Sequence, residues 1–322
     1  MRQFAKPTIV VSKCLEFDAC RYNGEMIPDV TIRNLQPFVT FIPVCPEVEI
    51  GLGTPRETIR IVEENGENRL VQPSTREDVT EKMEQFSNDF LQTIPDVDGF
   101  ILKNRSPSCG TRDVKIYSGF EKAPAKGKGA GLFGGAVVKK FSHLPIEEEG
   151  RLSNFIIREH FFTRLFTIAY YKMIKHNKNM KELVSFQLDN KYLFMAYNQV
   201  KQKELGRIIA NQKNEKIEVV FENYEKTLYE LFMRAPRYTS NVNVCEHIFG
   251  YFKTKLKKQE KDHFIELLQK YAEKKIPLSS LLTILKSWAI RFDEKYLLRQ
   301  TYFEPYPEAL VEISDSGKGR DY

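Results

Sequence analysis

The chain has 322 residues, of which 42% are hydrophobic and 29% charged; this composition is that of an ordinary globular protein, and the length suits about two domains. No window approaches the roughly 18 uncharged apolar residues that a membrane span requires, and residues 1–7 are too short and polar for a signal peptide. We therefore expect a cytoplasmic protein without a membrane partner, and the sequence indicates no obligate protein partner.

The charge is divided unevenly along the chain. Of the 49 Lys and Arg and the 43 Asp and Glu residues, 19 and 22 lie in residues 1–150, which leaves 30 and 21 in residues 151–322. A basic excess in the second part favours an anionic partner, with nucleic acid ahead of membrane. A lysine-rich, solvated helical surface is the alternative.

Three short apolar segments in the first part of the chain predict strands. Residues 8–12, 38–44 and 99–103 are rich in β-branched and aromatic residues and do not alternate clearly, which is typical of buried strands in a parallel sheet. Residues 58–73 predict a hairpin with Asn-Gly at its centre. A helix follows, with Thr75 or Thr80 as candidate N-caps.

A glycine-rich segment, residues 126–135, lies near the end of this part. Residues 129–134 match G-x-G-x-x-G, but no strand leads into them and no acidic ribose partner follows, so we discount a dinucleotide site. We expect a flexible loop that folds over an anionic ligand with Lys126 and Lys128, or an ordinary surface loop.

From about residue 150 the pattern is helical throughout. The sequence predicts an α/β N-terminal domain with a mostly parallel, Rossmann-like sheet, followed by an all-α C-terminal domain. The predicted bounds are 1–148 for the first domain, 149–190 for a helical connector, 191–313 for the second domain and 314–322 for a polar tail.

Each predicted strand is followed by a cysteine: Cys14, Cys45 and Cys109. Ligands bind at the carboxyl ends of parallel strands, so the three thiols would converge if the strands are neighbours. Their spacing fits neither a structural zinc site nor a thioredoxin-type pair. Three converging thiolates suit a 4Fe-4S cluster with one open iron. Cys20 is a possible fourth ligand that would close the cluster, and Cys245 is expected to be a packed thiol.

Polar residues near these thiols suit acid–base chemistry. Glu47 lies two residues after Cys45 and is a candidate general base on water; a loop acid or helix-cap role is the alternative. Ser106 and Ser108 flank Cys109 in sequence and are candidate hydrogen-bond donors or ordinary turn residues. The candidates for stacking or phosphate contacts are Arg21, Tyr22, Lys103 and Arg105.

These residues resemble the thiouracil desulfidase (TudS-like) family over about residues 7–145. The motifs that carry the resemblance are Val11-Ser12-Lys13-Cys14-Leu15, Cys20-Arg21-Tyr22-Asn23-Gly24, Cys45-Pro46-Glu47 and Ser106-Pro107-Ser108-Cys109-Gly110. The helical part is similar to the family typified by YbgA, through Leu205-Gly206-Arg207, Asn241-Val242-Asn243-Val244, His247-Ile248-Phe249-Gly250 and Tyr306-Pro307-Glu308. Chains with this pairing resemble the tRNA 4-thiouridine desulfidases.

The resemblance implies a non-redox desulfuration of 4-thiouridine in tRNA to uridine on a 4Fe-4S cluster. Cys14, Cys45 and Cys109 would hold the cluster, whose open iron binds the thiocarbonyl sulfur. Glu47 and Ser106 would assist the attack of water on the ring carbon, and sulfide would leave.

The helical part would bind tRNA, with Tyr238, Phe249, Tyr251 and Phe252 as candidate stacking residues; packing in a helical core is the alternative for these aromatic residues. In the loop Cys14-Leu15-Glu16-Phe17, Glu16 replaces the glycine that many single-domain members have, and we expect this loop to shape the pocket mouth and to disfavour free thiouracil. The alternatives are a desulfidase of free thiouracil or thionucleosides, and a nonenzymatic iron–sulfur protein that binds RNA or acts as a sensor.

Overall fold

The computed structural model describes residues 2–120, 124–212 and 214–312. They form two compact units: the residues up to Ala169 together with 307–312, and residues 170–306. The predicted tail, 314–322, lies outside the described residues. No helix in the described part of the chain is long and apolar enough to cross a membrane.

The first unit contains two sheets and several helices. The strands are β1 (Thr8–Ser12), β2 (Thr40–Val44), β3 (Arg60–Glu64), β4 (Glu67–Gln72), β5 (Glu77–Asp78), β6 (Gly99–Leu102), β7 (Val114–Tyr117), β8 (Ala125–Gly129) and β9 (Ile146–Glu148). The helices are α1 (Val30–Leu35), α2 (Pro46–Glu49), α3 (Thr80–Thr93), α4 (Leu132–Phe141), α5 (Glu149–Leu152) and α6 (Phe155–Asn177), which continues into the second unit.

The parallel sheet has the strand order β2-β1-β6-β9. Val11 of β1 pairs with Pro43 on one side and with Ile101 on the other, and both pairings are parallel. Ile9, Val10 and Val11 are fully buried, so both faces of the central strand are covered, as parallel sheets require. The three predicted strands are therefore neighbours, and the predicted fold class is confirmed.

The second sheet has the order β5-β4-β3-β7-β8. Strands β3 and β4 form the predicted antiparallel hairpin. Asn65 and Gly66 at its turn have φ angles of 53° and 86°, which are the positive values that a type I′ turn needs.

The predicted N-cap of α3 is wrong. Val79 occupies the capping position and makes no capping hydrogen bond with its side chain, and the Asp78 carboxylate accepts from the backbone N–H of Thr80 at 2.9 Å. The Thr80 hydroxyl instead accepts a hydrogen bond from the backbone N–H of Leu70 at 2.8 Å, and the Thr75 hydroxyl donates to Gln72. Both threonine hydroxyls therefore form hydrogen bonds with residues of β4 and do not cap α3.

The glycine-rich segment is not a flexible loop. Its first part is strand β8, which pairs antiparallel with β7, and Lys126 and Lys128 form exposed ion pairs with Glu63 and Asp113. Its second part begins α4, where Gly134 N–H donates to the Ser108 carbonyl at 2.9 Å. The segment therefore packs against the protein's own backbone.

The second unit is helical throughout its described residues. After α6 its helices are α7 (Met180–Asp189), α8 (Lys191–Tyr197), α9 (Gln199–Ala210), α10 (Ile217–Leu231), α11 (Tyr238–Phe249), α12 (Lys258–Ala272), α13 (Leu278–Arg291) and α14 (Lys295–Leu298). Short 3-10 helices lie at Gly250–Phe252 and Thr301–Phe303 in this unit, and a third, Glu308–Leu310, lies in the first.

Aromatic residues dominate the core of this unit. The hydroxyl of Tyr171 donates to the Phe221 carbonyl at 2.6 Å, and that of Tyr224 donates to Gln187 at 2.6 Å, so both polar tips are satisfied within the core. Cys245 is fully buried beside the Tyr302 hydroxyl at 3.8 Å. Its predicted role as a packed thiol is confirmed.

Two of the four aromatic residues offered for stacking on RNA are core residues. Phe249 and Phe252 belong to the buried cluster of this unit, whereas Tyr238 and Tyr251 are 37% and 38% exposed. Phe249 and Phe252 therefore have a packing role, and only the two tyrosines present surface to a partner.

The chain returns to the first unit at its end. The carbonyl of Glu312 accepts a hydrogen bond from the Arg158 guanidinium at 2.8 Å, and Leu310 is buried. The two units divide within α6, after Ala169, whereas the sequence placed a connector over 149–190 and residues up to 313 in the second domain. Those domain bounds stay a prediction.

We predict that Gly134→Ala destabilises the protein, whereas Gly135→Ala in the same helix does not. A Cβ at Gly134 would overlap the carbonyl oxygens of Gly110 and Cys109, but one at Gly135 would lie 3.4 Å from the Ala130 Cβ. Gly134→Ala should lower the free energy of unfolding by ~1–3 kcal/mol, and Gly135→Ala should leave it unchanged or raise it by up to ~1 kcal/mol. Urea unfolding followed by circular dichroism measures both, and equal stabilities would contradict this account.

Candidate active site

The three thiols predicted to converge line one cavity of about 360 Å³ in the first unit. Cys45 directly follows β2, Cys14 lies two residues after β1, and Cys109 lies in the loop after β6. Because the three strands are parallel neighbours, their carboxyl ends meet at one edge of the sheet. Cys20 lines the same cavity.

The loop that carries Cys109 is fixed by hydrogen bonds from two sides. Within it, the Ser106 hydroxyl oxygen accepts from the backbone N–H of Cys109 at 3.1 Å and from that of Ser108 at 3.3 Å. From outside, the start of α4 donates Leu132 N–H to the Pro107 carbonyl and Gly134 N–H to the Ser108 carbonyl. The loop thus satisfies N–H groups that a helix leaves unpaired at its N-terminus.

Glycine is required where α4 meets this loop. A Cβ at Gly131 would lie 2.6 Å from the Ser108 carbonyl oxygen, too close for any side chain. The second half of the glycine-rich segment therefore allows the backbone of α4 to lie close to the backbone of the Cys109 loop.

The thiols differ in acidity. Burial raises the pKa of Cys14 to about 12 and that of Cys109 above its usual range. The hydrogen bond from Cys20 lowers the pKa of Cys45, against the effect of burial, and the Val48 N–H at the start of α2 and the charge of Arg56 add to this lowering. Cys45 is the most readily ionised of the thiols in the cavity.

Within the described residues, no three His, Cys, Asp or Glu side chains lie close enough together to hold a single metal ion. Each of Cys14, Cys45 and Cys109 has a pKa that the charge of a neighbouring group in the cavity raises. Negative charges in the cavity therefore oppose the ionisation of each thiol, whereas Lys103 favours that of Cys14 and Arg56 that of Cys45.

Glu47 lies in this cavity between two hydrogen-bond donors. The Ser108 hydroxyl donates to its Oε1 at 2.5 Å, and the Arg56 guanidinium donates to its Oε2 from Nη2 at 2.6 Å and from Nε at 2.9 Å. The Glu47 side chain is 13% exposed. This carboxylate is therefore held by specific contacts and is not a solvent-facing loop acid.

Ser106 contacts Glu47 only through Ser108. The two serine hydroxyl oxygens are 2.9 Å apart, and because the single hydroxyl proton of Ser108 goes to Glu47, Ser106 donates to Ser108. The structure therefore places a chain of hydrogen bonds from Ser106 through Ser108 to Glu47. The predicted catalytic role of Ser106 stays a prediction.

Sequence reasoning missed Arg56. It lies between α2 and β3, in a segment that Gly51 and Gly53 turn back with φ angles of 89° and 71°. These two glycines were the available signal that the segment folds over Glu47, but no spacing rule links an arginine nine residues away to a carboxylate.

A second charged group borders the cavity. Lys103, a lining residue, pairs with the buried carboxylate of Glu149. The same carboxylate accepts the backbone N–H of Asn104 at 2.7 Å, and the Ser12 hydroxyl accepts that of Lys103 at 2.9 Å. The partners of Glu149 lie 45 and 46 residues away in the chain, so no local pattern in the sequence predicts this pair.

The other candidates for substrate contact also line the cavity. Arg21 lies over the Tyr22 ring at 5.5 Å, and Tyr22 is 43% exposed. Arg105 is a lining residue as well. The wall of the cavity is therefore rich in cationic side chains, with one aromatic ring among them.

Glu16 does not line the cavity. It has a φ of 70°, a conformation that favours glycine, and its carboxylate binds Arg33 at 2.9 Å and the backbone N–H of Asp29. Cys14 of the same loop lines the cavity although Glu16 does not, and the expectation that this loop disfavours free thiouracil stays a prediction.

Both parts of the chain match known protein families. Residues 9–149 match the family model of 2-thiouracil desulfurase, and residues 191–307 match that of a protein family of unknown function (DUF1722). The uncharacterised protein YbbK of Bacillus subtilis strain 168 is 36% identical over 118 residues, which are 34% of this chain and 77% of YbbK. The uncharacterised protein YbgA of Escherichia coli K12 is 22% identical over 156 residues, 48% of this chain and 92% of YbgA.

Among solved structures, the chain is similar to one described as the [4Fe-4S]-dependent thiouracil desulfidase TudS. The two are 26% identical, the match covers 46% of this chain and 93% of TudS, and the TM-score is 0.36.

The chain belongs to the 2-thiouracil desulfurase family through its first unit. It is therefore an enzyme of the desulfurase class, and the alternative of a nonenzymatic sensor was wrong. The predicted pairing of a thiouracil desulfidase domain with a YbgA-like helical domain is confirmed.

Proposed function

We propose that the chain converts 4-thiouridine in tRNA to uridine with the help of a 4Fe-4S cluster. The observation that carries the proposal is that Cys14, Cys45, Cys109 and Glu47 line one cavity in a member of the 2-thiouracil desulfurase family. Water supplies the oxygen and sulfide carries away the sulfur, so that no electron donor or acceptor is needed.

The donor set supports a cluster. Three thiols line one cavity, and thiolates are the usual ligands of a 4Fe-4S cluster. TudS is described as [4Fe-4S]-dependent. In this proposal Cys14, Cys45 and Cys109 would hold the cluster, and an iron without a protein ligand would supply a Lewis acid suited to the soft thiocarbonyl sulfur.

Glu47 is the proposed general base. Its Oε1 takes the proton from the attacking water, while Oε2 stays bound to Arg56. The Ser106–Ser108 hydrogen-bond chain donates to the same Oε1, so this oxygen is held in place while its remaining lone pair takes the proton. Low exposure of this carboxylate excludes most competing solvent.

The basic second part of the chain supports tRNA as the partner. Tyr251 stacks against Tyr296 at 6.3 Å, and Lys274 lies 5.4 Å over the Tyr238 ring, so each partly exposed tyrosine is supported by a neighbouring side chain and is the proposed platform for an unpaired base. The cytoplasm, where tRNA is found, is the proposed location.

Free thiouracil or a thionucleoside is the second candidate substrate. The family description and the name of TudS both favour it. With such a substrate the helical unit would have a role other than RNA binding.

We predict that replacing Cys14, Cys45 or Cys109 singly with Ser prevents cluster assembly, because a cluster with an open iron has no ligand to spare. Cys245→Ser is the matched control, since Cys245 is a buried thiol of the helical unit, and it should load normally. Cys20→Ser should also load. The visible absorbance and iron content after anaerobic reconstitution measure this, and full loading of a Cys109→Ser protein would contradict the proposed ligand set.

Glu47→Gln should retain the cluster and lower kcat by ~10²–10⁴-fold, the usual cost of losing a general base. Glu49→Gln is the control, because Glu49 lies on the same short helix but is exposed and does not line the cavity. Steady-state desulfuration of wild type and both variants measures the effect. A fully loaded Glu47→Gln protein with wild-type kcat would contradict the role of Glu47.

The substrate is tested by incubating cluster-loaded protein with thiolated tRNA and with free 4-thiouridine, following loss of thiocarbonyl absorbance and release of sulfide. We expect turnover of tRNA, weakened by salt because phosphate contacts are screened. Turnover of the free compound alone would select the second candidate.

A further inference from the structure

Arg56 makes a set of contacts that extends beyond a simple ion pair with Glu47. Its side chain is only 4% exposed. Besides the two bonds to Glu47, its Nη1 donates to the carbonyls of Cys20 at 2.9 Å and of Gly53 at 2.8 Å. Its backbone N–H donates to the Tyr22 carbonyl at 2.8 Å.

These contacts join two walls of the cavity. One wall is the Cys20–Gly24 loop, which carries the lining residues Arg21 and Tyr22; the other is α2, which carries Glu47. Both are bound by the same planar guanidinium, whose donors have fixed relative directions. The position of Glu47 relative to the substrate-facing loop is therefore fixed by one side chain.

The geometry also orients the carboxylate. Both donors of Arg56 bind Oε2, which leaves Oε1 for Ser108 and for water. Without the guanidinium, Oε2 would lose both donors, and Ser108 alone would hold the Glu47 carboxylate through Oε1. A lysine, a point charge with rotating donors, could keep the charge but not the fork.

We propose that Arg56 is a positioning residue for the desulfuration, and that it acts by holding Glu47 Oε2 next to the Cys20–Gly24 loop, so that Oε1 stays available to Ser108 and to water. This inference rests on the proposed function of Glu47 as the base. Arg56 does not itself exchange a proton or bind the cluster in this proposal.

The test compares Arg56→Gln, Arg56→Lys and Arg56→Ala with wild type after anaerobic reconstitution. Arg33→Gln is the matched control: Arg33 also binds a glutamate, Glu16, at 2.9 Å, but it does not line the cavity. For each protein, cluster absorbance, kcat and KM are measured on the substrate that wild type turns over. Arg56→Ala is also assayed with added guanidinium at concentrations that do not denature wild type.

We expect Arg56→Gln to load its cluster, to keep its KM and to lose kcat by about 100-fold, the scale of a misplaced catalytic group. Arg56→Lys should recover part of kcat, and guanidinium should raise the kcat of Arg56→Ala but not that of wild type. In the metal-free proteins, hydrogen exchange of the backbone amides in residues 20–25 should be faster in Arg56→Gln than in Arg33→Gln.

Two results would overturn the inference. One is an unchanged kcat in loaded Arg56→Gln. The other is a loss of activity that follows cluster content in every variant without rescue by guanidinium, which would give Arg56 a purely structural role. A failure of the proposed function is distinct, because loaded wild type would then be inactive on both thiolated substrates.

Discussion

The site depends on the parallel pairing of β1 with β2 and β6. This pairing brings three strands that are far apart in sequence to the same edge of the sheet. The chain that follows each strand carries one of the three cysteines that line the cavity. Antiparallel pairing of any of these strands would send its cysteine to the opposite edge. The register runs from Thr8 paired with Thr40 to Ser12 paired with Val44, so β1 and β2 end level with each other at this edge.

Two further layers fix the groups at that edge. The glycines that open α4 allow its backbone to contact the carbonyls of the Cys109 loop, which holds the loop rigid without any side chain between them. Arg56 and Ser108 then hold the two oxygens of Glu47 separately. A carboxylate whose oxygens have different partners is oriented before substrate arrives, which lowers the cost of reaching the reactive geometry.

The parts of this architecture that depend on local pattern could be predicted from the sequence. The apolar runs gave the three strands, Asn65-Gly66 gave the hairpin, and the position of each cysteine after a strand gave the convergence of thiols. The role of Arg56 could not be predicted, because its partners come from two other segments, α2 and the Cys20–Gly24 loop. The glycine-rich segment was wrongly predicted to be a loop, because its conformation depends on what packs against it. Phe249 and Phe252 were offered for stacking on RNA because the sequence did not reveal which face of the helix is buried.

The central claim is that three thiols leave one iron open beside Glu47. The Mössbauer spectrum of the chain reconstituted with enriched iron, recorded with and without its thiolated substrate, tests this most directly. The account predicts one iron distinct from the other three, whose parameters change when the substrate is added. Four equivalent irons, or a spectrum that substrate does not alter, would contradict it.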